Sequence, residues 1–519
     1  MDTTYSKAVA LAVPVFLFLI AVEFIADRIK RTRYYHLADA INSLSCGVVS
    51  TGVRVFFGFL GIFFYEWVLR HWAPVHLPAK HWGTWVFAFV FYDLCYYWNH
   101  RWGHTVGLFW ASHVVHHQSE EFNLTTALRQ PGTGAFLSWI FYLPMALCGV
   151  PIGVMLMVGV AQLFYQFWPH TQLIGRLGFL DRWIQTPSNH RVHHAQNDIY
   201  LDKNYVGVFL IWDRLFGSFQ EELDEERCIF GIRGQLNSWN PVWANLHYYV
   251  AMAKDSWHAA SWSDKVRVWF APPGWRPADV AARFPKRPYD PRVDFVKFDP
   301  PRNVALSVYG LVQFVALIAA NSQFLALLPK QAASLNVAYF LFILGSLVCL
   351  GGVLENRRAF LIAEGARLTA TALVVLMSGA WFGGVRDPRV DFVKFDPPRN
   401  VALSVYGLVQ FVVLIAANSH FLALLPKQGT ALNVAYFLFI LGTLVCLGGV
   451  LENRREFLIA EGARLTATAL VVLTTGEWFG GVRDPRVVVP VVAFQCVSLG
   501  WLWLAARARP KQEAAVAAA

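Results

Sequence analysis

The chain has 519 residues, 56% hydrophobic and only 15% charged, with a formal net charge of +10. Soluble globular chains carry about 25% charged residues, so this composition argues against an ordinary soluble enzyme and for many membrane spans. The basic excess suits Lys- and Arg-rich cytoplasmic loops; without a solvated basic domain it argues against a nucleic-acid partner.

The first apolar run, Ala8 to Ile25, has no basic stretch before it and is followed by Asp27-Arg28-Ile29-Lys30-Arg31-Thr32-Arg33. That charge order is opposite to a signal peptide's and predicts a retained span with its basic end in the cytoplasm. A second run, about Ala40 to Leu69, is long enough to cross with tilt. The linker Arg70 to His81 carries Pro74, Pro78, His71, His76 and His81, irregularly spaced and read as interfacial polar groups. A third run, Gly83 to Trp98, returns the chain to the cytoplasmic side and delivers His100 there. After the polar stretch Asn99 to Pro131 come two short apolar segments, Gly134–Gly149 and Ile152–Trp168. Whether they form a re-entrant hairpin or two thin spans, His170 ends on the side where the chain entered. Arg176 to about Lys297 is polar enough for a cytoplasmic cap. Its acidic run, Glu221, Glu222, Asp224, Glu225 and Glu226, reads as a solvated face without a catalytic role.

Asp290–Arg386 then recurs as Asp387–Arg483, a period of 97 residues with about ten substitutions, and Asp-Pro-Arg-Val appears a third time at Asp484–Val487. Three spans per copy would place the basic Arg386–Arg399 loop outside, against the positive-inside rule. The segment carrying Glu364 and Arg367 is therefore expected to span poorly in at least one copy. The predicted organisation is N-terminal spans (1–82), a catalytic domain (83–250), a cytoplasmic linker (251–289), two membrane repeats (290–386 and 387–483), and a last span with its tail (484–519). The seven cysteines, Cys46, Cys95, Cys148, Cys228, Cys349, Cys446 and Cys496, are scattered without a C-x2-C pair. They read as small buried hydrophobes, not as a disulfide framework or zinc site.

Nine of the sixteen histidines fall between Asp93 and His194 at repeating spacings. His100 and His104 form H-x3-H. His113, His116 and His117 form H-x2-H-H, and so do His190, His193 and His194. Imidazole is the usual nitrogen ligand of iron, zinc and copper, and residues four apart share a helix face. Asp93 lies on the His100 face and is positioned to orient an imidazole through its second nitrogen. Gln166 and His170 repeat the four-residue spacing. An H-x3-H pair also occurs on zinc-protease helices, but that chemistry needs Glu after the first histidine, and here Arg101 follows. Interfacial polar residues would not explain the recurrence in triplets, so the reading is a polynuclear metal centre.

The order H-x3-H, H-x2-H-H, H-x2-H-H resembles the fatty acid hydroxylase/sterol desaturase superfamily. The stretches His113–Gln130, Thr186–His194 and Asp202–Phe219 resemble its alkylglycerol monooxygenase-like subgroup, over roughly residues 10–250. The resemblance implies an all-α, polytopic membrane helical bundle with a cytoplasmic histidine-rich di-iron cap. Its two irons would be held by His100, His104, His113, His116, His117, His190, His193 and His194, with His170 contributing and Asp93 and Gln166 supporting. It also implies a lipid substrate (ether lipid, fatty acyl chain or sterol-like) hydroxylated with O2. The electrons would come from tetrahydrobiopterin or another external donor, since the chain has no dinucleotide loop or c-type haem motif. A desaturase on the same irons would leave a new double bond in place of retained oxygen. A non-catalytic, transporter-like membrane protein would bind no iron.

Overall fold

The computed structural model describes residues 3–301, 304–378, 455–478 and 485–507, together with scattered positions between 402 and 450. Among the described residues the regular structure is helical, with no strand beyond two isolated bridges. The chain opens with α1 (Thr3–Lys30), α2 (Leu37–Phe57), α3 (Phe59–Trp72), α4 (Trp82–Thr105) and α5 (Gly107–His117). Single turns and one 16-residue helix follow: α6 (Leu124–Ala127), α7 (Gly134–Leu137), α8 (Leu143–Leu147) and α9 (Ile152–Phe167). Next come α10 (Pro187–His194), α11 (Ile211–Leu215), α12 (Pro241–His258), α13 (Trp262–Phe270), α14 (Ala278–Arg283) and α15 (Pro291–Asp294). The first repeat contributes α16 (Val304–Leu327), α17 (Ala333–Leu354) and α18 (Arg358–Ser378).

The run Ala40–Leu69, expected as one tilted span, is divided between α2 and α3 at Gly58. The chain packs so closely there that a Cβ on Gly58 would lie 2.5 Å from the Arg54 carbonyl oxygen. Among the described residues five helices are long and apolar enough to cross a membrane: Leu37–Phe57, Leu306–Lys330, Ala333–Leu354, Glu456–Thr475 and Val487–Ala505. The protein is an integral membrane protein. The apolar helices Gly134–Leu147 and Ile152–Phe167 are shorter than these, as their composition indicated.

The chain divides into two compact units, residues 1–388 and 389–519. In the first, Ile41, Val48 and Val49 of α2 pack against Phe314, Leu317 and Phe324 of α16 and Tyr339, Ile343 and Leu347 of α17. A second core joins Tyr65 and Val68 of α3 to Ala88 and Cys95 of α4, Met145 of α8 and Val154 of α9. In the second unit, Leu403, Tyr406, Leu447, Leu465 and Leu502 form a core of their own. The seven cysteines are free; Cys46 and Cys95 are buried, whereas Cys496 is exposed.

The repeat keeps the same intrahelical ion pair in both copies, Arg367 to Glu364 at 2.6 Å and Arg464 to Glu461 at 2.7 Å. Tyr309 donates to Glu364 and Tyr406 to Glu461. Pairing of this kind is how charge is tolerated among apolar helices, and in both copies the segment is a 21-residue helix. The Arg386–Arg399 loop lies outside the described residues.

Candidate metal centre

Four pieces of chain bring the nine histidines together. His100 and His104 occupy the last two turns of α4, and α5 turns back on it carrying His113, His116 and His117. His170 follows the end of α9, and α10 carries His190, His193 and His194. Every residue of α10, Pro187 to His194, is buried although the helix is polar. Burial of polar groups is tolerable only when they are paired, and the polar side chains of α10 other than its histidines are. Pro187 suits the first turn, where its missing N–H costs nothing. Ser188 donates to Glu222 at 2.8 Å, and Asn189 donates to the Asp181 carbonyl at 3.0 Å. Arg191 forks onto both oxygens of Glu222 at 2.9 and 2.7 Å and donates to the carbonyls of Thr171 and Ile174. Glu222 of the acidic run thus faces inward as a structural anchor.

The rings form two sets. His100, His104, His113, His117 and His193 converge on one point, and His116, His170, His190 and His194 on another, with one ligand nitrogen from each ring within 4.8 Å of the others in its set. Facing Nε2 atoms approach closely: His104 to His117 at 3.1 Å, His117 to His113 at 3.2 Å, and His170 to His190 at 2.9 Å. His116 reaches His170 at 3.2 Å.

The outer nitrogens explain this packing. Nδ1 of His100 lies 2.6 Å from the Tyr205 carbonyl oxygen, that of His116 2.9 Å from Arg129's, that of His170 2.9 Å from Gln166's, and that of His193 2.8 Å from Lys203's. A carbonyl only accepts, so each of these Nδ1 atoms carries the proton and each Nε2 presents a lone pair inward. The Nε2 atoms of His100, His193 and His194 are buried without a hydrogen-bond partner. Lone pairs converging in two sets, four of the rings oriented from behind by a carbonyl, are what a metal ligand shell requires, and the residues present fit one.

Burial is the largest cause that lowers the histidines of α5 and α10, and neighbouring imidazoles add to it for all but His116, where the Arg129 charge does. His116 and His193 are lowered to about 4 and about 3, burial outweighing the carbonyl that each ring bonds. His113, His117, His190 and His194 also lie well below the ordinary value. Neutral imidazole is the ligating form. Aromatic rings wall the centre: Phe122 lies 5.0 Å from His194 and 5.6 Å from His170, Trp110 5.1 Å from His104, and Tyr205 5.4 Å from His104.

Asp93 and Gln166 stand behind this shell. The Asp93 carboxylate accepts from the backbone N–H groups of Val208 at 2.8 Å and Phe209 at 2.9 Å and bonds no histidine ring, which corrects the expected direct contact with an imidazole. Its influence runs through the 205–209 loop, whose Tyr205 carbonyl holds His100. Gln166 presents its backbone carbonyl to His170, while its side chain turns to Gln162 at 3.3 Å. Gly207 is wedged among these groups: a Cβ there would lie 2.7 Å from Gln166 Nε2 and 2.9 Å from Asp93 Oδ1. The carbonyls of Arg129, Lys203 and Tyr205 were invisible to sequence reading because any residue supplies one. Gln185, 3.0 Å from His190 Nδ1, and Asp202, 3.4 Å from His104 Nδ1, carried no spacing signal. Asp202 does fall in the Asp202–Phe219 stretch that carried the family resemblance. His71, His76 and His81 join neither set, and His81 caps α4 by accepting from Gly83 N–H at 3.1 Å.

A helical membrane protein with two converging histidine sets defines a class, the membrane-bound, histidine-ligated metal oxygenases. The fatty acid hydroxylase family profile matches residues 85–218, spanning all three clusters. Alkylglycerol monooxygenase of Homo sapiens is 34% identical over 360 residues, 69% of this chain and 80% of that protein. The Danio rerio enzyme is 33% identical over 78% of this chain and 90% of its own. Ornithine lipid hydroxylase of Rhizobium tropici is 28% identical over 29% of this chain and 46% of its own. No solved structure matches the chain significantly. The chain belongs to the fatty acid hydroxylase family, together with the alkylglycerol monooxygenases. It is an O2-dependent oxidoreductase that hydroxylates alkyl carbon of a lipid, and its histidine sets point to iron.

Proposed function

We propose that the protein is a di-iron monooxygenase that hydroxylates the alkyl carbon beside the ether oxygen of a glycerol ether lipid. One iron is assigned to His100, His104, His113, His117 and His193, and the other to His116, His170, His190 and His194. Asp93 and Gln166 position this shell from behind. The observation that carries the reading is the division of nine inward-facing imidazoles into two buried sets. The identity to alkylglycerol monooxygenases over most of their length supports the ether substrate. Iron in such a shell supplies O2 activation. The chain's own part is to hold nine imidazoles together, four of them fixed in the ligating tautomer by carbonyls, and, through Phe122, Trp110 and Tyr205, to keep water from the reacting carbon. Hydroxylation beside the ether oxygen yields a hemiacetal, which collapses to an aldehyde and a glycerol. The electrons come from tetrahydrobiopterin or another external reductant. The histidines are assigned to the cytoplasmic side, an orientation supported by Arg28 and Lys30 at the end of α1 and by Arg31 and Arg33 just after it.

The test is incubation of the purified protein with a 1-O-alkylglycerol, reduced pterin and labelled O2. The expected product is a fatty aldehyde bearing one labelled oxygen. An unlabelled product with a new carbon–carbon double bond would assign the site to desaturation.

A further inference from the structure

The α12–α13 hairpin carries an outward apolar face that the oxygen chemistry does not use. On α12, Trp243, Leu246, Val250, Ala253 and Trp257 recur at helical spacing along the outer side, while Pro241, Ala244, Asn245 and Met252 are buried on the inner side. On α13, Trp262, Val266 and Phe270 lie four apart on one exposed stripe, while Val268 faces inward. Trp257 and Trp262 are each 81% exposed, far more than a soluble surface ordinarily leaves two indoles. Between the helices lies an open groove of about 520 Å³ lined by Ala253, Ser256, Trp257, Trp262, Val266 and Trp269. Lys265 bends along it, donating to the Ser256 and Trp257 carbonyls at 3.1 and 2.8 Å, with its ammonium 5.8 Å from the Trp262 ring centroid.

We propose that this hairpin lies in the plane of the membrane, its Trp257–Trp262–Val266–Phe270 face seated at the acyl boundary under an anionic phospholipid headgroup layer. Three observations select that occupant. The inner side of α12 packs against α2 and α17, two of the helices apolar enough to span, so the hairpin sits where spanning helices leave the bilayer. Three of its six exposed large apolar residues, Trp243, Trp257 and Trp262, are indoles, which concentrate at the headgroup level. Between Pro241 and Arg287 there are seven basic and three acidic residues. Two of the acids are already paired, Asp255 to Arg276 at 2.9 Å and Asp279 to Arg283 at 2.9 Å. An amphipathic helix with Trp and Phe on one side and a basic excess on the other is the form that in-plane binding takes. The hairpin is tied to the metal centre, because the N–H of Gly107, which starts the His113-bearing α5, donates to the Ala271 carbonyl at 2.9 Å. A lipid lying against α13 is thereby held beside the helix that supplies the first H-x2-H-H.

The test places a nitroxide at Val266→Cys in the full chain with Cys496→Ser, reconstituted in phosphatidylcholine containing phosphatidylglycerol. Asp224→Cys, whose native side chain is 90% exposed, serves as the aqueous reference. The ratio of O2 to nickel-chelate accessibility at position 266 is expected to exceed the reference by about tenfold or more, as burial at the acyl boundary requires. A ratio equal to the reference would overturn the proposal. So would spin–spin broadening at 266 that grows with protein density, since a second copy would then cover the face. Should Val266→Cys disturb folding, Phe270→Cys on the same stripe gives the same reading.

Discussion

At the scale of single residues, the centre depends on which ring nitrogen carries the proton. The Lys203 carbonyl behind His193 is backbone that no side-chain substitution removes, so the ring itself is the group to test. His193→Ala is expected to lose bound iron and turnover while the chain still inserts into membranes, since no spanning helix packs through that ring. Metal analysis of the detergent-purified variant checks this; full iron content with normal turnover would refute the assignment of His193. Gln185 is a subtler case. Its amide nitrogen lies 3.0 Å from His190 Nδ1 while its own oxygen is buried without a partner. With the amide turned over, its oxygen accepts from Nδ1–H and leaves His190 Nε2 free to ligate. Gln185→Ala is expected to weaken metal binding by about 10–100-fold, the usual effect of removing a group that orients a ligating histidine. Gln185→Glu should restore most of it, a rescue that a purely structural role would not give. Competition with a chelator measures both.

At the scale of elements, α10 shows how a polar helix is kept inside. Its stability leans on Arg191 and Glu222. Burial alone would raise the Glu222 carboxyl, but the hydrogen bonds and charge of Arg191, aided by Ser188, outweigh it and hold the group below its ordinary value of 4.5. A carboxylate depressed by folding contributes stability above its unfolded value and loses it as pH falls through the folded one. Unfolding of the protein in detergent should therefore show an acid limb below about pH 4.5 that Glu222→Gln flattens. The variant should be less stable at neutral pH by about 1.5–3 kcal/mol, the range for hydrogen bonds to a charged partner. An unchanged acid limb would mean that the pair does not hold α10. Much of this layer was legible in the sequence. The H-x3-H and H-x2-H-H spacings located the helices and their inward faces, because side-chain periodicity is written residue by residue. The acidic run read as a solvated face, since a sequence does not reveal that Arg191 turns back onto Glu222 across 31 residues. The division of Ala40–Leu69 at Gly58 was hidden for a related reason: hydropathy continues through the glycine, and only the packing at Arg54 marks the break.

At the scale of the molecule, the question is what the repeated helices contribute. Each of the nine histidines, and each carbonyl and side chain that orients them, lies before residue 210, inside the unit spanning residues 1–388. The first repeat is bound into that unit through α16 and α17, whose Phe314, Leu317, Tyr339 and Ile343 share a core with α2. Its leading segment also reaches the neighbourhood of the second cluster, where Lys297 pairs with Glu121 at 2.8 Å and Phe298 N–H donates to Glu120 at 2.6 Å. Leu403, Tyr406, Leu447 and Leu465 of the second repeat share a separate core with Leu502 of the last helix (Pro485–Arg507). Since Asp-Pro-Arg-Val follows both Arg386 and Arg483, removal of Asp387–Arg483 joins Arg386 to Asp484 and recreates the native junction without a new sequence. The shortened chain is expected to keep its iron content and its turnover within about twofold, because independent sites contribute additively and no residue of the metal centre is touched. Loss of iron or of activity on that deletion would show that the second unit supports the centre. Deletion of the first copy's Asp290–Arg386 is then the informative contrast. The residue that would follow Tyr289 is again Asp, and Lys394 and Phe395 would stand where Lys297 and Phe298 stood. Retained activity in both deletions would make the two copies interchangeable as partners for α2 and Glu121.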